Sequence, residues 1–227
     1  MEERRSPREL APAESPVSRF LIVPGYHGSG DAHWQTWLQR EEPAAIRVQG
    51  IDWESPVLAS WVRAVEYELY RNAQPLWLVA HSFGCLVSAH VAARLPHRVA
   101  GLLLVAPADP ARFTTLGAQA QPGPGGTSLE DVVPRVRLGP RSVLVASRND
   151  PWLSMSAAAR WAKTWGSSLV DIGEAGHVNS ESGHGPWPFV RSLLHVLAPP
   201  DANAVTRVEC PPAPQPALDV PFAAQLR

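Results

Sequence analysis

Three residues of the chain, Ser82, Asp150 and His177, have the side chains that together perform nucleophilic catalysis in water. A serine hydroxyl is a poor nucleophile near neutral pH, and it needs a histidine within hydrogen-bonding distance to accept its proton. A carboxylate can fix the tautomer of that histidine and stabilise its charged form. Because each of the three follows a different short apolar run, we interpret Ser82 as nucleophile, His177 as base and Asp150 as the acid that orients the base.

The sequence around Ser82 is typical of a nucleophile elbow, the sharp strand-to-helix turn that exposes a catalytic serine. It reads Ala80–His81–Ser82–Phe83–Gly84, a variant of Gly-x-Ser-x-Gly with alanine at the first small position. Small residues at both ends let the turn pass close to neighbouring backbone. The segment lies between an apolar run and a helix pattern, which is the context that the motif requires. The order serine, aspartate, histidine along the chain is that of the α/β-hydrolase triad.

Acyl transfer passes through an oxyanion, which needs hydrogen-bond donors. The backbone N–H of Phe83, the residue after the nucleophile, is the first predicted donor. The second is predicted in the glycine-containing loop Pro24–Gly30, where we favour the N–H of Tyr26. This loop has no Gly-Lys-Ser/Thr sequence, and its glycine spacing fits neither a phosphate-binding loop nor a dinucleotide fingerprint.

His27, His81 and Trp152 flank the predicted catalytic residues in sequence, and we expect them to line the substrate pocket. Histidines at metal-ligand spacing with a carboxylate are absent from the sequence, so neither a metal nor another cofactor is predicted. Two alternatives stay open at this stage. His184, which comes soon after the predicted base, could replace it, and Asp109, also near a predicted strand end, could be the acid.

Short apolar runs alternate along the chain with segments of helical period. The runs show no alternation of polar and apolar residues, so both faces of each strand should be covered, as in a parallel sheet. This pattern predicts an α/β fold: a doubly wound, mostly parallel sheet of about six strands, with helices on both faces and no large cap domain. The predicted strands are Phe20–Val23, Ile46–Val48, Leu76–Ala80, Val99–Ala106, Ser142–Ser147 and Ser168–Ile172. The predicted helices are one capped by Asp31, one beginning at Ser55–Pro56, and Phe83–Leu95, Ser154–Trp165 and Pro188–Leu197.

The 24 prolines of the chain are concentrated in three places, and these set the predicted domain limits. Residues 1–18 and the proline-rich residues 199–227 are predicted as disordered tails, because such compositions bury too little apolar surface to fold. Residues 19–198 form the predicted catalytic domain. Within it, residues 107–140 are rich in proline and glycine and are predicted as a mobile loop at the active site, with one short helix at Leu129–Val133.

The combination of motifs resembles the small α/β-hydrolases of the retinoblastoma-binding-protein-nine type, a group of mostly bacterial serine hydrolases. The resemblance covers about residues 20–197 and implies a compact hydrolase in which Ser82, Asp150 and His177 have the roles given above. The Leu-x-Cys-x-Glu motif for retinoblastoma binding is absent from the sequence, so that partner is not implied. The residues that carry the resemblance are Val23–Ser29, His33–Trp34, Trp37, Ile51–Trp53, Ala80–Cys85, Asn149–Pro151 and Gly176–Asn179.

The sequence therefore predicts a serine hydrolase that cleaves a small ester or amide through an acyl-enzyme intermediate. One alternative is a non-catalytic binding protein on the same scaffold. Another is an acyltransferase that uses the same triad. An intact triad together with a glycine-rich oxyanion loop favours the enzyme, because a protein without catalysis has no use for three separated residues in these positions.

The balance of charges excludes two classes of partner. Lys and Arg total 20 and Asp and Glu total 21, so neither nucleic acid nor an anionic membrane surface is an expected partner. The longest uncharged apolar stretch, Val99–Ala108, is too short to span a bilayer, which takes about 20 residues. Met1–Arg19 lacks the apolar region of a secretory signal, and Cys85 and Cys210 make no disulfide framework, so a cytoplasmic location is expected. The sequence does not indicate an oligomeric state.

Overall fold

Six parallel strands form the central sheet of the computed structural model, which describes residues 19–118 and 126–197. The strands of this sheet are β1 (Phe20–Val23), β2 (Ala45–Arg47), β3 (Leu76–Ser82), β4 (Val99–Pro107), β7 (Arg141–Ala146) and β8 (Ser168–Asp171). Two short strands, β5 (Phe113–Thr114) and β6 (Gly117–Ala118), pair antiparallel outside it. The spatial order is β2-β1-β3-β4-β7-β8. The predicted parallel α/β sheet of about six strands is confirmed, and no large cap domain occurs in the described part of the chain.

Helices cover both faces of the sheet. They are α1 (Trp34–Glu41), α2 (Leu58–Arg71), α3 (Phe83–Arg94), α4 (Leu129–Val132), α5 (Met155–Trp165) and α6 (Pro188–Leu197). α2, α3 and α5 pack into one core, and α1 and α6 pack into the other. Along β1, Leu21 and Val23 belong to the first core, whereas Phe20 and Ile22 belong to the second. Because both faces of the strands are buried, their sequences are continuously apolar.

The predicted cap of α1 is wrong. The helix begins at Trp34 and its N-cap is His33, whose Nδ1 accepts a hydrogen bond from the backbone N–H of Gln35 (3.1 Å). The carboxylate of Asp31 instead accepts from the side chain of Arg40 (2.9 Å). An imidazole nitrogen therefore satisfies one of the N–H groups that a helix leaves without an internal acceptor.

The predicted start of α2 at Ser55–Pro56 is also wrong. The helix begins at Leu58, and its N-cap, Val57, makes no capping bond through its side chain. The backbone carbonyl of Ser55 accepts from the N–H of Val57 (2.8 Å) and from the indole Nε1 of Trp61 (2.8 Å). These bonds hold Ser55 in a turn that precedes the helix.

The segment 107–140 holds more regular structure than the predicted loop. A 3₁₀ turn at Pro110–Arg112 leads into the β5–β6 hairpin, and α4 is one residue shorter than the predicted helix. Residues 119–125 of this segment lie outside the described residues, as do both predicted tails, 1–18 and 199–227.

The winding of the sheet reverses at β1, because β2 lies on one side of β1 and β3 lies on the other. In open α/β sheets, the crevice beyond the carboxyl ends of the strands at such a switch point is where ligands bind. β1 ends at Val23 and β3 ends at Ser82, so the Tyr26 loop and the serine meet at this crevice. The loops that follow β7 and β8 reach the same edge with Asp150 and His177.

Candidate active site

The side chains of Ser82, His177 and Asp150 form a continuous chain of hydrogen bonds. The Oγ of Ser82 lies 2.9 Å from Nε2 of His177, and both carboxylate oxygens of Asp150 lie 3.0 Å from Nδ1 of His177. Because a carboxylate only accepts, Nδ1 carries the proton, and Nε2 is left to accept the proton of the serine hydroxyl. The carboxylate of Asp150 is 2% exposed and the imidazole 8%, so water competes little for these bonds.

Ser82 has the backbone conformation of a strained elbow. Its φ of 52° and ψ of −122° are rare for a residue with a side chain, and such strain is typical of functional sites. Gly84 permits the turn, because a Cβ there would lie 2.4 Å from the carbonyl oxygens of Val23 and Pro24. Gly25 lies close to the serine itself, since a Cβ there would be 2.7 Å from the Cβ of Ser82. The loop that follows β1 therefore packs directly against Ser82.

Two side chains from other elements hold the backbone of the histidine loop. Nε2 of His81 donates to the carbonyl of His177 (2.9 Å), and the indole Nε1 of Trp34 donates to the carbonyl of Val178 (2.9 Å). Val178 has a φ of 50°, which is unusual for a β-branched residue. The two bonds stabilise this backbone conformation, and with it the direction of the His177 ring.

Asn149 and Ser147 tie the loop after β7 to the loop after β8. The side-chain oxygen of Asn149 accepts from the N–H of Gly176 (2.7 Å) and from the hydroxyl of Ser147 (2.8 Å). The Oγ of Ser147 in turn accepts from the N–H of Ala175 (2.9 Å). These bonds fix the distance between the two loops that carry Asp150 and His177.

Two buried histidines continue the site behind His177. Burial, aided by the charge of Arg47, lowers the pKa of His33 to about 4, and burial lowers the pKa of His81 well below its usual value. The ring centroids of His33 and His81 are 4.8 Å apart, and those of His81 and His177 are 4.9 Å apart. Both buried rings are neutral at physiological pH, so they do not add a full positive charge beside His177.

The N–H groups of Tyr26 and Phe83, the two predicted oxyanion donors, lie in the loop after β1 and at the start of α3. Phe83 is the first residue of α3, and the first N–H groups of a helix have no acceptor within it. The loop is fastened directly after Tyr26, where the N–H of His27 donates to the carbonyl of Trp53 (2.9 Å). No acceptor for the Tyr26 N–H occurs among the described residues.

A cavity of about 280 Å³ opens in front of Ser82, and its lining includes the three predicted pocket residues. His27 lies at the rim, where its Nδ1 is 2.8 Å from a carboxylate oxygen of Glu54 and its side chain is 61% exposed. Trp152 is 38% exposed, with its ring centroid 5.8 Å from that of His177. His81 is buried, so its ring forms the back of the cavity.

The structure also places the two rival residues. His184 bonds through Nδ1 to the hydroxyl of Ser182 (3.2 Å), and its ring meets that of Trp187 rather than the serine. The carboxylate of Asp109 accepts from the N–H of Ala111 (3.0 Å) and caps the 3₁₀ turn. Neither residue belongs to the hydrogen-bond chain of the serine.

The sequence did not indicate several residues that shape the site. Phe113 and Asn179 line the cavity. Phe113 comes from β5, a strand of two residues, which is too short to show a periodic pattern of apolar residues in the sequence. The roles of Trp34 and Asn149 depend on partners that are distant in sequence. Trp34, Asn149 and Asn179 belong to the motifs that carry the family resemblance, which was their only signal in the sequence, and Phe113 belongs to none of them.

Within residues 19–118 and 126–197, no three His, Cys, Asp or Glu side chains are grouped in a way that could hold a metal ion. In the same ranges, every helix is too short or too polar to cross a bilayer. The predicted cytoplasmic location stays a prediction.

A six-stranded parallel sheet with a serine on a strained turn at its switch point defines the α/β-hydrolase fold. The family model for serine hydrolases matches residues 20–196, and the chain belongs to this serine hydrolase family. It is therefore a hydrolase, as the sequence predicts. The resemblance stated from the motifs is confirmed at the level of this family.

Relatives agree with this assignment. A YdeN-like protein of Pectobacterium atrosepticum has a crystal structure that is 37% identical and covers 79% of this chain and 89% of its own, with a TM-score of 0.70. YdeN of Bacillus subtilis is 21% identical over 184 residues, which are 78% of this chain and 95% of YdeN. The esterase domain of a Rhodothermus marinus protein, 20% identical, shares the fold with a TM-score of 0.60 over 82% of this chain and 88% of its own.

Proposed function

We propose that the protein hydrolyses a small ester or amide through the triad Ser82, His177 and Asp150 and an acyl-enzyme intermediate. The observation that carries the proposal is the hydrogen-bond chain from the Ser82 hydroxyl through His177 to the buried carboxylate of Asp150. Its geometry matches the requirement that nucleophile and base lie within about 3 Å of each other.

In the first step, the Oγ of Ser82 attacks the carbonyl carbon of the substrate while Nε2 of His177 takes the hydroxyl proton. The carbonyl electron pair moves to oxygen and forms a tetrahedral oxyanion. When the oxyanion collapses, the bond to the alcohol or amine breaks, and His177 gives its proton to that leaving group. The acyl group remains esterified to Ser82.

In the second step, a water molecule attacks the acyl-enzyme, and Nε2 of His177 takes a proton from that water. The second oxyanion collapses, the bond to Oγ breaks, and His177 returns the proton to Ser82. Asp150 accepts from Nδ1 throughout and stabilises the imidazolium without becoming protonated. The products are a carboxylic acid and the alcohol or amine.

Both oxyanions are proposed to accept hydrogen bonds from the N–H groups of Tyr26 and Phe83. The close approach of Gly25 to Ser82 and the position of Phe83 at the start of α3 support this assignment. Donors that are fixed before the reaction stabilise the developing charge without reorganisation. The positive end of the α3 dipole adds to this stabilisation.

The size of the cavity favours a small-molecule substrate. Its volume of about 280 Å³ lies near the lower end of the range for ligand pockets, about 300–1,000 Å³. We propose that His27 and Trp152 contact the substrate at the rim, because both are exposed there. His81 lines the back of the cavity, and its bond to the carbonyl of His177 gives it a positioning role in addition.

A panel of p-nitrophenyl esters and aminoacyl p-nitroanilides tests the proposal. We expect Ser82→Ala and His177→Ala to lower kcat at least about 1,000-fold, as for other triads. Ser192→Ala is the matched control, since this exposed serine on α6 bonds only within its own helix. Turnover that survives unchanged in Ser82→Ala would overturn the proposal.

A further inference from the structure

A second cleft joins the catalytic cavity along three shared aromatic side chains. Tyr26, Phe113 and Trp152 line both spaces, and Ala111, Arg112 and Ala118 complete the second. We call this space, of about 450 Å³, the aromatic cleft. It adjoins the catalytic cavity, and the mechanism proposed above assigns no group of the substrate to it.

The outer wall of the aromatic cleft is fixed before any ligand binds. The guanidinium carbon of Arg112 lies 4.8 Å from the ring centroid of Trp152, and its NH2 donates to the carbonyl of Pro151 (3.0 Å). The backbone N–H of Trp152 donates to the carboxylate of Asp150 (2.8 Å). An aromatic ring held in this way loses little conformational freedom when it contacts a ligand, which favours binding.

The inner wall is apolar and continuous with the core. Phe113 is almost fully buried, with its ring centroid 4.8 Å from that of Phe83 and 6.4 Å from that of Tyr26, which it meets edge to face. Trp152 also lines the cleft and keeps 38% of its surface exposed to water. Covering that apolar surface is favourable for any ligand that fits the cleft.

We propose that the aromatic cleft binds an aryl group of the substrate, so that the preferred substrates are esters or amides with an aromatic ring close to the scissile bond. This inference rests on the proposed function, because it assumes that Ser82 attacks the bound molecule. Flat rings suit the cleft because aromatic pairs gain free energy from offset or edge-to-face contact beyond the area they bury. The ring centroid of Trp152 lies 5.8 Å from that of His177, whose Nε2 lies 2.9 Å from the Ser82 hydroxyl, so the proposed substrate has a short linker, such as one methylene, between its aryl group and its carbonyl.

Two pairs of esters of equal carbon count test the inference. Methyl phenylacetate against methyl cyclohexylacetate places the ring on the acyl side, and benzyl acetate against cyclohexylmethyl acetate places it on the alcohol side. The two esters of a pair differ only in their ring, which is flat in the aryl member and puckered in the cyclohexyl member. We expect the kcat/KM of the wild-type protein to be about fivefold higher for the aryl member of at least one pair, and that pair identifies the side of the scissile bond that the cleft receives.

Variants then assign the preference to the cleft. Trp152→Leu keeps apolar bulk without an aromatic face and should bring the aryl preference to about one, whereas Trp152→Phe should retain it. Arg112→Ala should lower the preference by about half, since it frees the ring of Trp152. Tyr67 and Arg71 form a similar cation–π pair on α2, 5.5 Å apart, so Tyr67→Ala and Arg71→Ala are the controls and should leave the preference intact.

The outcomes separate the two proposals. Turnover with no aryl preference in either pair, or a preference that survives Trp152→Leu, overturns the aromatic cleft and leaves the triad standing. Absence of turnover, together with a Ser82 that does not react with serine-directed reagents, overturns the proposed function itself.

Discussion

The imidazole of His81 donates through Nε2 to the backbone carbonyl of His177 across 2.9 Å. His81, which precedes Ser82 in the elbow, therefore holds the backbone of His177, whose ring contacts the Ser82 hydroxyl. A carbonyl only accepts, so Nε2 of His81 must carry the proton, and burial keeps the ring neutral by lowering its pKa. The elbow thus carries both the proposed nucleophile and a support for the proposed base.

Replacing His81 should weaken catalysis more than substrate binding. His81→Leu removes the donor and leaves the carbonyl of His177 unpaired, which costs about 1–3 kcal/mol. We expect kcat for p-nitrophenyl acetate to fall about tenfold with little change in KM, and His81→Gln, which can still donate, to recover part of the loss. Equal kcat for His81→Leu and the wild-type protein would exclude the positioning role.

Trp34 supports the next residue of the same loop. Trp34→Phe removes the indole donor and leaves the buried carbonyl of Val178 without its bond, so the free energy of unfolding should fall by about 1–3 kcal/mol. Urea unfolding measures this loss. The control is Trp37→Phe on the same helix, where the ring is only partly buried. Similar losses for the two variants would show that the hydrogen bond to Val178 does not account for the loss of stability in Trp34→Phe.

Gly84, the glycine of the elbow, should not tolerate a side chain. A Cβ at this position would lie 2.4 Å from two backbone carbonyl oxygens, and rigid backbone cannot move away without disturbing β1. We expect Gly84→Ala to destabilise the fold by about 3 kcal/mol or more. Gly30→Ala is the control, because a Cβ there meets nothing within 4 Å. A thermal melting temperature of Gly84→Ala equal to that of the control would contradict the close approach.

His33 should make the fold less stable in mild acid. Its pKa is about 4 in the folded protein and about 6.5 in the unfolded chain, so between these values the unfolded state binds more protons. Above about pH 6.5, His33 therefore does not lower the free energy of unfolding. As the pH falls from about 6.5 toward 4, the free energy of unfolding decreases. The loss between pH 7 and pH 5 amounts to about 2 kcal/mol.

Urea unfolding at pH 7 and pH 5 measures this effect. His33→Asn keeps a capping side chain for α1 but does not titrate, so the loss of stability at pH 5 should shrink by about 2 kcal/mol. His97→Asn changes an exposed histidine and should leave the pH dependence as in the wild-type protein. A pH dependence that is the same in all three proteins would contradict the burial of a neutral His33.

The sequence was sufficient to predict the sheet and the candidate triad, for one physical reason. Strands buried on both faces must be continuously apolar, so their ends are visible in the sequence, and in a parallel sheet those ends share an edge. Ser82, Asp150 and His177 each follow such an end. The hydrogen bonds among them accord with this interpretation.

Other features depend on contacts between distant residues and leave no local pattern. His81 and His177 are separated by 96 positions, and Trp34 and Val178 by 144, so neither bond could be predicted from spacing. The cap of α1 was predicted wrongly because Arg40 takes the carboxylate of Asp31, and the ring of His33 caps the helix instead.

Labelling with a fluorophosphonate tests the proposed triad most directly, because the reagent reacts only with an activated serine: Oγ bonds to phosphorus and fluoride leaves. Peptide mass spectrometry should find one adduct per chain, on Ser82, with none in Ser82→Ala and a rate at least about 100-fold lower in His177→Ala. Ser192→Ala should label like the wild-type protein. A folded wild-type protein that forms no adduct, or forms it on another serine, would contradict the assignment of Ser82 as the nucleophile.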